Sequence, residues 1–334
     1  MVWFLARRLL FLVFVLVGIT MVIFVLSHIA PSDPARAALG LYASQESVDR
    51  YRAEHGLDRP LPVQYAIYMR NLLRGDLGVS ILTGRPVVDD LKRALPATIE
   101  LIVPSFVFSL LVGMTLGGFA ALHVNHWPDH VSRFLAVFGM SMPVFWLGVV
   151  LQLVFFAHMR WLPSSGRLPA LVMAPPGVTG LITVDALLAG QYGVFLTALK
   201  HLVLPAFTLS LVNLATLARI SRSVLLEVLH LPYITVAYAK GQRESKVVID
   251  HAVPNALIPL VTIIGIMVGQ SLGGAIIVET IFAWPGIGRQ VVDALIQLDV
   301  PMVTAFALLM AISYGITNLL VDVSYVILDP RIRV

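Results

Sequence analysis

The sequence predicts an all-α polytopic membrane protein with six transmembrane helices, on three observations. Apolar residues fill 58% of the 334 positions and charged ones only 13%, too greasy a mixture for a soluble chain of this length. Apolar runs of about 20 residues recur, each long enough at ~1.5 Å per residue to cross a ~30 Å hydrocarbon core. A polar stretch, Leu226–Pro259, separates two of these runs and carries helix-spaced apolar residues of its own. The net charge of +4 comes from basic residues spread along the chain rather than gathered in a stripe, so nucleic-acid binding has no support. The chain has no cysteine, which excludes disulfides and thiolate metal sites.

Residues 1–29 read as a short basic N-terminus and a first membrane helix, Leu9–Ile29. A cleavable signal peptide is the competitor, but its apolar core runs to only about 7–15 residues, and no small-x-small cleavage site follows here. Residues 30–100 read as an extracytoplasmic subdomain. Within it Gln45–His55 is a predicted helix with Ser44 as N-cap and Gly56 just past its end, and Leu61–Arg74 is another that stops at Gly75. Gly75-Asp76-Leu77-Gly78 then makes a tight turn, with Asp76 as its stabilising side chain.

Residues 101–334 hold the other five membrane helices: Leu101–Leu122, Phe134–Phe156, His201–Ala218, Ala256–Val278 and Val303–Ile327. Pro143 is expected to kink the third span. The loop before that span gathers His123, His126, Asp129 and His130, a set that suggests a metal. No second ligand cluster accompanies it, and the expectation is a polar loop at headgroup level. Thr183–Leu188 and Phe195–Leu199 are expected as short interfacial helices. Arg219 and Arg222 end the fourth span and are expected to snorkel to the interface. Gly113 with Gly117, and Gly265 with Gly269 and Gly273, form smooth strips that serve either packing within the chain or a seam with a second subunit. The basic residues gather in the N-terminus, the loop after helix two, the Leu226–Pro259 stretch and the C-terminus, which places both termini in the cytoplasm.

No GxxxxGK[ST] loop, HExxH helix or GxSxG elbow is present, so no enzyme is predicted. The membrane runs hold almost no ionisable groups, which argues against a proton- or sodium-coupled carrier. A channel needs carbonyl or charged rings and an intramembrane enzyme a polar constellation, and neither is visible. That directs attention to Leu226–Pro259. Taken alone, it is either an amphipathic connector in the headgroups or a docking surface for a soluble partner, with small residues at its turn to admit another backbone.

In that stretch Tyr233-Ile234-x-x-Ala237-x-Ala239-Lys240-Gly241, followed by His251-Ala252-x-x-Asn255-Ala256-x-x-Pro259, resembles the cytoplasmic coupling loop of ABC-importer permeases of the dipeptide/oligopeptide (Dpp/Opp) group. Family-like strings recur in order along nearly the whole chain: Gly75-Asp76-Leu77-Gly78-x-Ser80, Leu162-Pro163-Ser164-Ser165-Gly166-Arg167, Leu204-Pro205, Glu279-Thr280-x-Phe282-x-Trp284-Pro285-Gly286-x-Gly288, and Asp329-Pro330-Arg331-Ile332-Arg333. The resemblance implies the type I ABC importer permease fold, with residues 101–334 as the permease core. It implies that Tyr233, Ala237, Ala239, Lys240, Gly241, His251, Asn255 and Pro259 couple to an ATPase subunit. Glu279, Phe282, Trp284, Pro285, Gly286 and Gly288 are the candidate for part of an outer gate.

The implied partners are a second permease subunit that is a related but different chain, two ATPase subunits, an extracytoplasmic peptide-binding protein and the lipid of a bacterial cytoplasmic (inner) membrane. ATP and Mg are implied on the ATPase subunits and no cofactor on this chain. Nickel or glutathione uptake is the alternative within the family, and an ATP-independent channel the alternative outside it. Tyr238 and Pro254 stand where the family usually carries basic residues, departures that would weaken charge-based contact with an ATPase or alter the geometry of the loop.

Overall fold

The computed structural model describes residues 2–29 and 44–328. The Asp329–Arg333 string and the first part of the expected subdomain lie outside the described residues. What is described is helical, with no strand beyond an isolated bridge between Val79 and Pro86. Five helices are long and apolar enough to cross a membrane, and a sixth crossing is a bent pair. Two compact units emerge, Met1–Leu95 with Gln290–Gly315, and Pro96–Arg289 with Ile316–Val334.

In the first unit α1 (Val2–Ile29) is followed by α2 (Gln45–His55) and α3 (Leu61–Leu73). The capping signals act as expected: Ser44 Oγ accepts from the Ser47 N–H, and Gly56 closes α2 in the left-handed region at φ 66°. Tyr65 reaches α1, its hydroxyl 2.9 Å from Thr20 Oγ1. The Gly75–Ser80 string then shows two uses. Asp76 Oδ1 accepts from the Gly78 N–H at 2.9 Å, a turn-stabilising bond. Ser80 Oγ donates to Asp299 Oδ2 at 2.5 Å, and the Leu82 N–H joins it at 3.2 Å. Asp299 has no exposed surface and also accepts from the Met302 N–H, capping the last helix of the chain.

The spans differ from the expected ones in three places. The second, α4 (Val87–Leu122), begins well inside the stretch assigned to the subdomain. Asp89 and Asp90 belong to its first turn, where carboxylates complement the helix dipole, so the charges that suggested a separate polar region start the span. The third span is α5 (Trp127–Ser141) and α6 (Val144–Leu151), extended by a wide π turn over Gln152–His158, with a 103° bend between its halves. Pro143 accounts for the break, since it supplies no N–H, and Met142 before it takes an extended conformation. After α7 (Ile182–Leu188), the short helix expected at Phe195–Leu199 is the opening of a single long helix, α8 (Tyr192–Leu229).

The remaining elements are α9 (Pro232–Ala239), α10 (Glu244–Val247) with a π turn over Val248–Ala252, α11 (Val253–Ile281), α12 (Ile287–Ile296) and α13 (Val300–Leu328). In the second unit α8 is the central strut. Gly113 and Gly117 of α4 and Gly139 of α5 bring those backbones against it, so the α4 strip serves packing within the chain. The α11 strip divides: Gly265 faces Val321, and Gly273 faces open space. Apolar clusters mark both ends of α8, one around Leu202, Leu204, Phe282 and Trp284, the other around Leu225, Val228, Ile234 and Ala256.

Candidate functional site

The 226–259 segment runs from the last turn of α8 through the short helix α9, α10 and its π turn into the start of α11. Leu231 is extended and Pro232 opens α9, whose inward face is Ile234 with no exposed surface and Ala237 at 7%. These two pack with Ala121, Leu225, Val228, Val247, Ala252 and Ala256. The outward face carries Tyr233, Val236, Tyr238, Ala239 and Lys240, all exposed. Gly241 ends the helix at φ 76°, a conformation that side chains with a Cβ resist, and its N–H donates to Tyr238 O at 2.9 Å. His251 Nε2 lies 2.9 Å from Gln242 Oε1 and braces the return turn. Asn255 Nδ2 donates to His251 O, and Pro259 lies in the second turn of α11. The eight expected coupling residues therefore separate. Tyr233, Ala239, Lys240 and Gly241 face outward, while Ala237 and His251 hold the helix in place.

At the other end of α11 the chain folds into a buried knot. Glu279 and Trp284 are at 0% and 1% exposure. Thr98 Oγ1 donates to Glu279 Oε1 at 2.6 Å and accepts from the Ile287 N–H at 2.8 Å, and the Arg289 N–H donates to Glu279 Oε2 at 3.0 Å. Gly286 and Gly288 lack a Cβ where the carboxylate sits; one added at Gly288 would lie 2.9 Å from Glu279 Oε2. Trp284 Nε1 donates to Ala97 O at 2.7 Å, and the Gly166 N–H donates to Phe282 O at 2.9 Å. Of the six residues assigned to the gate, only Pro285 is exposed.

The Leu162–Arg167 string feeds the same knot. Arg167 donates through Nε and Nη2 to Glu100 Oε2, with its guanidinium 5.9 Å from the centre of the Trp284 ring. Glu100 Oε1 accepts from the Thr183 N–H and hydroxyl. His201 Nδ1 lies 3.0 and 3.1 Å from the Ser165 and Gly166 carbonyls, which makes it the protonated ring nitrogen. Next to this, burial alone would push the Asp185 carboxyl up, but bonds from the Thr179 N–H and hydroxyl and the Gly180 N–H outweigh it and hold the group below the ordinary carboxylate value.

The loop of histidines resolves differently from its sequence. His123 and His126 turn Nδ1 to the Phe119 and Val124 carbonyls. Asp129 instead meets Arg133 and Arg222, so Arg222 does not snorkel: it turns inward to a buried carboxylate. Arg219 is exposed. The one local hint of this pairing was Asp129 and Arg133 four apart on a helix; nothing local connects Arg222, 93 residues further on.

Six apolar crossings, with a short helix presented beyond the end of the longest one, define a multi-pass membrane protein. Residues 113–334 match the family described as binding-protein-dependent transport system inner membrane component, and residues 1–102 match the N-terminal membrane component of such systems. The chain belongs to this family. It is 44% identical over 321 residues to the probable D,D-dipeptide transport system permease protein of Escherichia coli, covering 96% of this chain and 94% of that one. It is 40% identical to the dipeptide transport system permease protein of Alkalihalophilus pseudofirmus, covering 98% of each chain. It is 37% identical to the glutathione transport system permease protein of Pectobacterium atrosepticum, covering 98% of this chain and 97% of that one.

Proposed function

We propose that this chain forms part of the translocation path of an ATP-driven importer for dipeptides or short oligopeptides, and that α9 passes the movement of an ATPase subunit to the spans. The observation that carries the reading is the construction of α9: anchored inward by Ile234 and Ala237, it presents Tyr233, Val236 and Lys240 outward at the end of α8. A surface helix of that kind serves a groove on a soluble partner. The two ATPase subunits hold ATP and Mg, a related second permease completes the path, and a peptide-binding protein delivers solute on the outer side. Both termini and α9 face the cytoplasm, an orientation that the distribution of the basic residues supports. Relatives named for dipeptides support the substrate class, and one named for glutathione keeps it at short peptides. The 279–288 turn serves as a fixed rim of the outer gate, a role its burial and hydrogen bonds support.

Purification of the tagged chain from its native membrane is expected to bring down ATPase subunits and a second permease. A chain that comes alone and still moves solute in liposomes would replace this reading with a channel. Within the complex, Gly241→Pro removes an N–H donor and imposes a negative φ where the backbone is at 76°. Assembly is expected to survive and peptide uptake to be lost.

A further inference from the structure

A carboxylate with no exposed surface must be neutralised where it sits, and Asp129 is neutralised from two directions. Arg222 Nε donates to Oδ1 at 2.5 Å and its Nη2 to Oδ2 at 3.1 Å, a two-pronged contact. Arg133 Nη2 donates to Oδ2 at 2.6 Å and the Asn125 N–H donates at 2.9 Å. Asn125 and Arg133 belong to the α4–α5 hairpin. Arg222 belongs to α8, two turns before that helix gives way to α9. The ion pair is a tie between the hairpin and the shaft that carries the coupling helix.

Its surroundings show why a tie is needed. A Cβ at Gly117 of α4 would lie 2.5 Å from Ala218 O and 3.0 Å from Arg222 N, and one at Gly139 of α5 would lie 2.7 Å from Ala215 Cβ. Along this stretch α8 lies backbone to backbone against both helices. Such smooth faces pack closely but offer few interlocking side chains to fix axial position. A buried, directional charge pair supplies that register, the best-attested use of such pairs.

We infer that Asp129 and Arg222 are positioning residues of coupling. They lock the α4–α5 hairpin to α8, so that a displacement of α9 moves three spans as one body. Without the lock, α8 slips along the glycine faces and the stroke does not reach the path. The inference rests on the coupling role proposed for α9.

The test uses the complete importer, purified through a tag on this chain and reconstituted with its binding protein. The probe is a labelled mixture of short peptides from a partial protein hydrolysate, and the readout is peptide taken up per ATP hydrolysed. With Asp129→Asn, ATP hydrolysis and subunit stoichiometry are expected to persist while that ratio falls about tenfold, a typical coupling energy between sites. Arg222→Lys keeps the charge and loses the two-pronged contact, and a smaller fall is expected; if the Asn variant does not assemble, this variant decides. A wild-type ratio in both variants overturns the inference, as does a parallel loss of uptake and hydrolysis, which marks a merely structural role. Gly241→Pro run alongside separates the two readings. A normal ratio there removes the role of α9 and the inference with it, whereas a low ratio there with a normal Asp129→Asn removes only the clasp.

Discussion

Near its start α8 is bound through His201 into a network in which Glu100, Arg167, Thr98 and Glu279 satisfy one another and the backbone around them. At its far end it hands over to α9, which is held by the burial of Ile234 and Ala237 and by one turn braced at His251. The first kind of attachment is directional, buried and reinforced by an aromatic ring and an ion pair, so any displacement strands several polar groups together. The second is buried but apolar and non-directional: it seats α9 against the end of α8, which the Asp129–Arg222 pair ties to the α4–α5 hairpin. Under the proposed coupling role, the difference sets an end of α8 held in place by its network against an end that moves together with α9 and the α4–α5 hairpin.

Breaking the stiff end should give the largest effect. Glu279→Ala strands the Thr98 hydroxyl and the Arg289 N–H and opens a cavity, with an expected loss of about 3 kcal/mol or more. Thermal unfolding of the purified complex measures it; an unchanged midpoint would mean that the knot is not a stability element. Ile234→Ala at the mobile end removes a fully buried anchor and should cost about 2–3 kcal/mol locally. Hydrogen exchange should then accelerate across residues 232–239 and leave residues 279–289 protected. Acceleration of both would show that the two ends are one cooperative unit.

The smallest effect sharpens the contrast within the stiff end. Asp185 is held below its ordinary value in the folded protein, so its contribution is fully present above the unfolded value and disappears as pH falls through the folded one. The gap in unfolding midpoint between wild type and Asp185→Asn should therefore be widest near neutral pH and close on acidification. A gap that widens in acid would reverse the sign of the argument.

The helices were legible because their signals are local. Ser44 and Gly56 bound α2 as their side chains require, and Pro143 announced a break in the third span, although not its 103°. Val87–Glu100 reads as part of the polar segment in the sequence because four of the five residues Asp89–Arg93 are charged, whereas the structure runs the helix through it. The segment proposed for coupling was legible as a motif, but only tertiary burial separates Ala237, which holds, from Ala239, which is presented. The knot and the clasp were not legible as contacts. A glutamate at a helix end says nothing of the two glycines that make room for it, and an aspartate among histidines gives no sign of an arginine from another span.

The helix α8 is longer than a membrane core is thick. A helix of 38 residues measures roughly 57 Å, nearly twice a ~30 Å hydrocarbon core. A helix that exceeds the core by so much is under little control from hydrophobic mismatch, which sets the height of shorter spans. The close packing of α4 and α5 on α8, more than the thickness of the bilayer, then sets how far this helix reaches along the membrane normal.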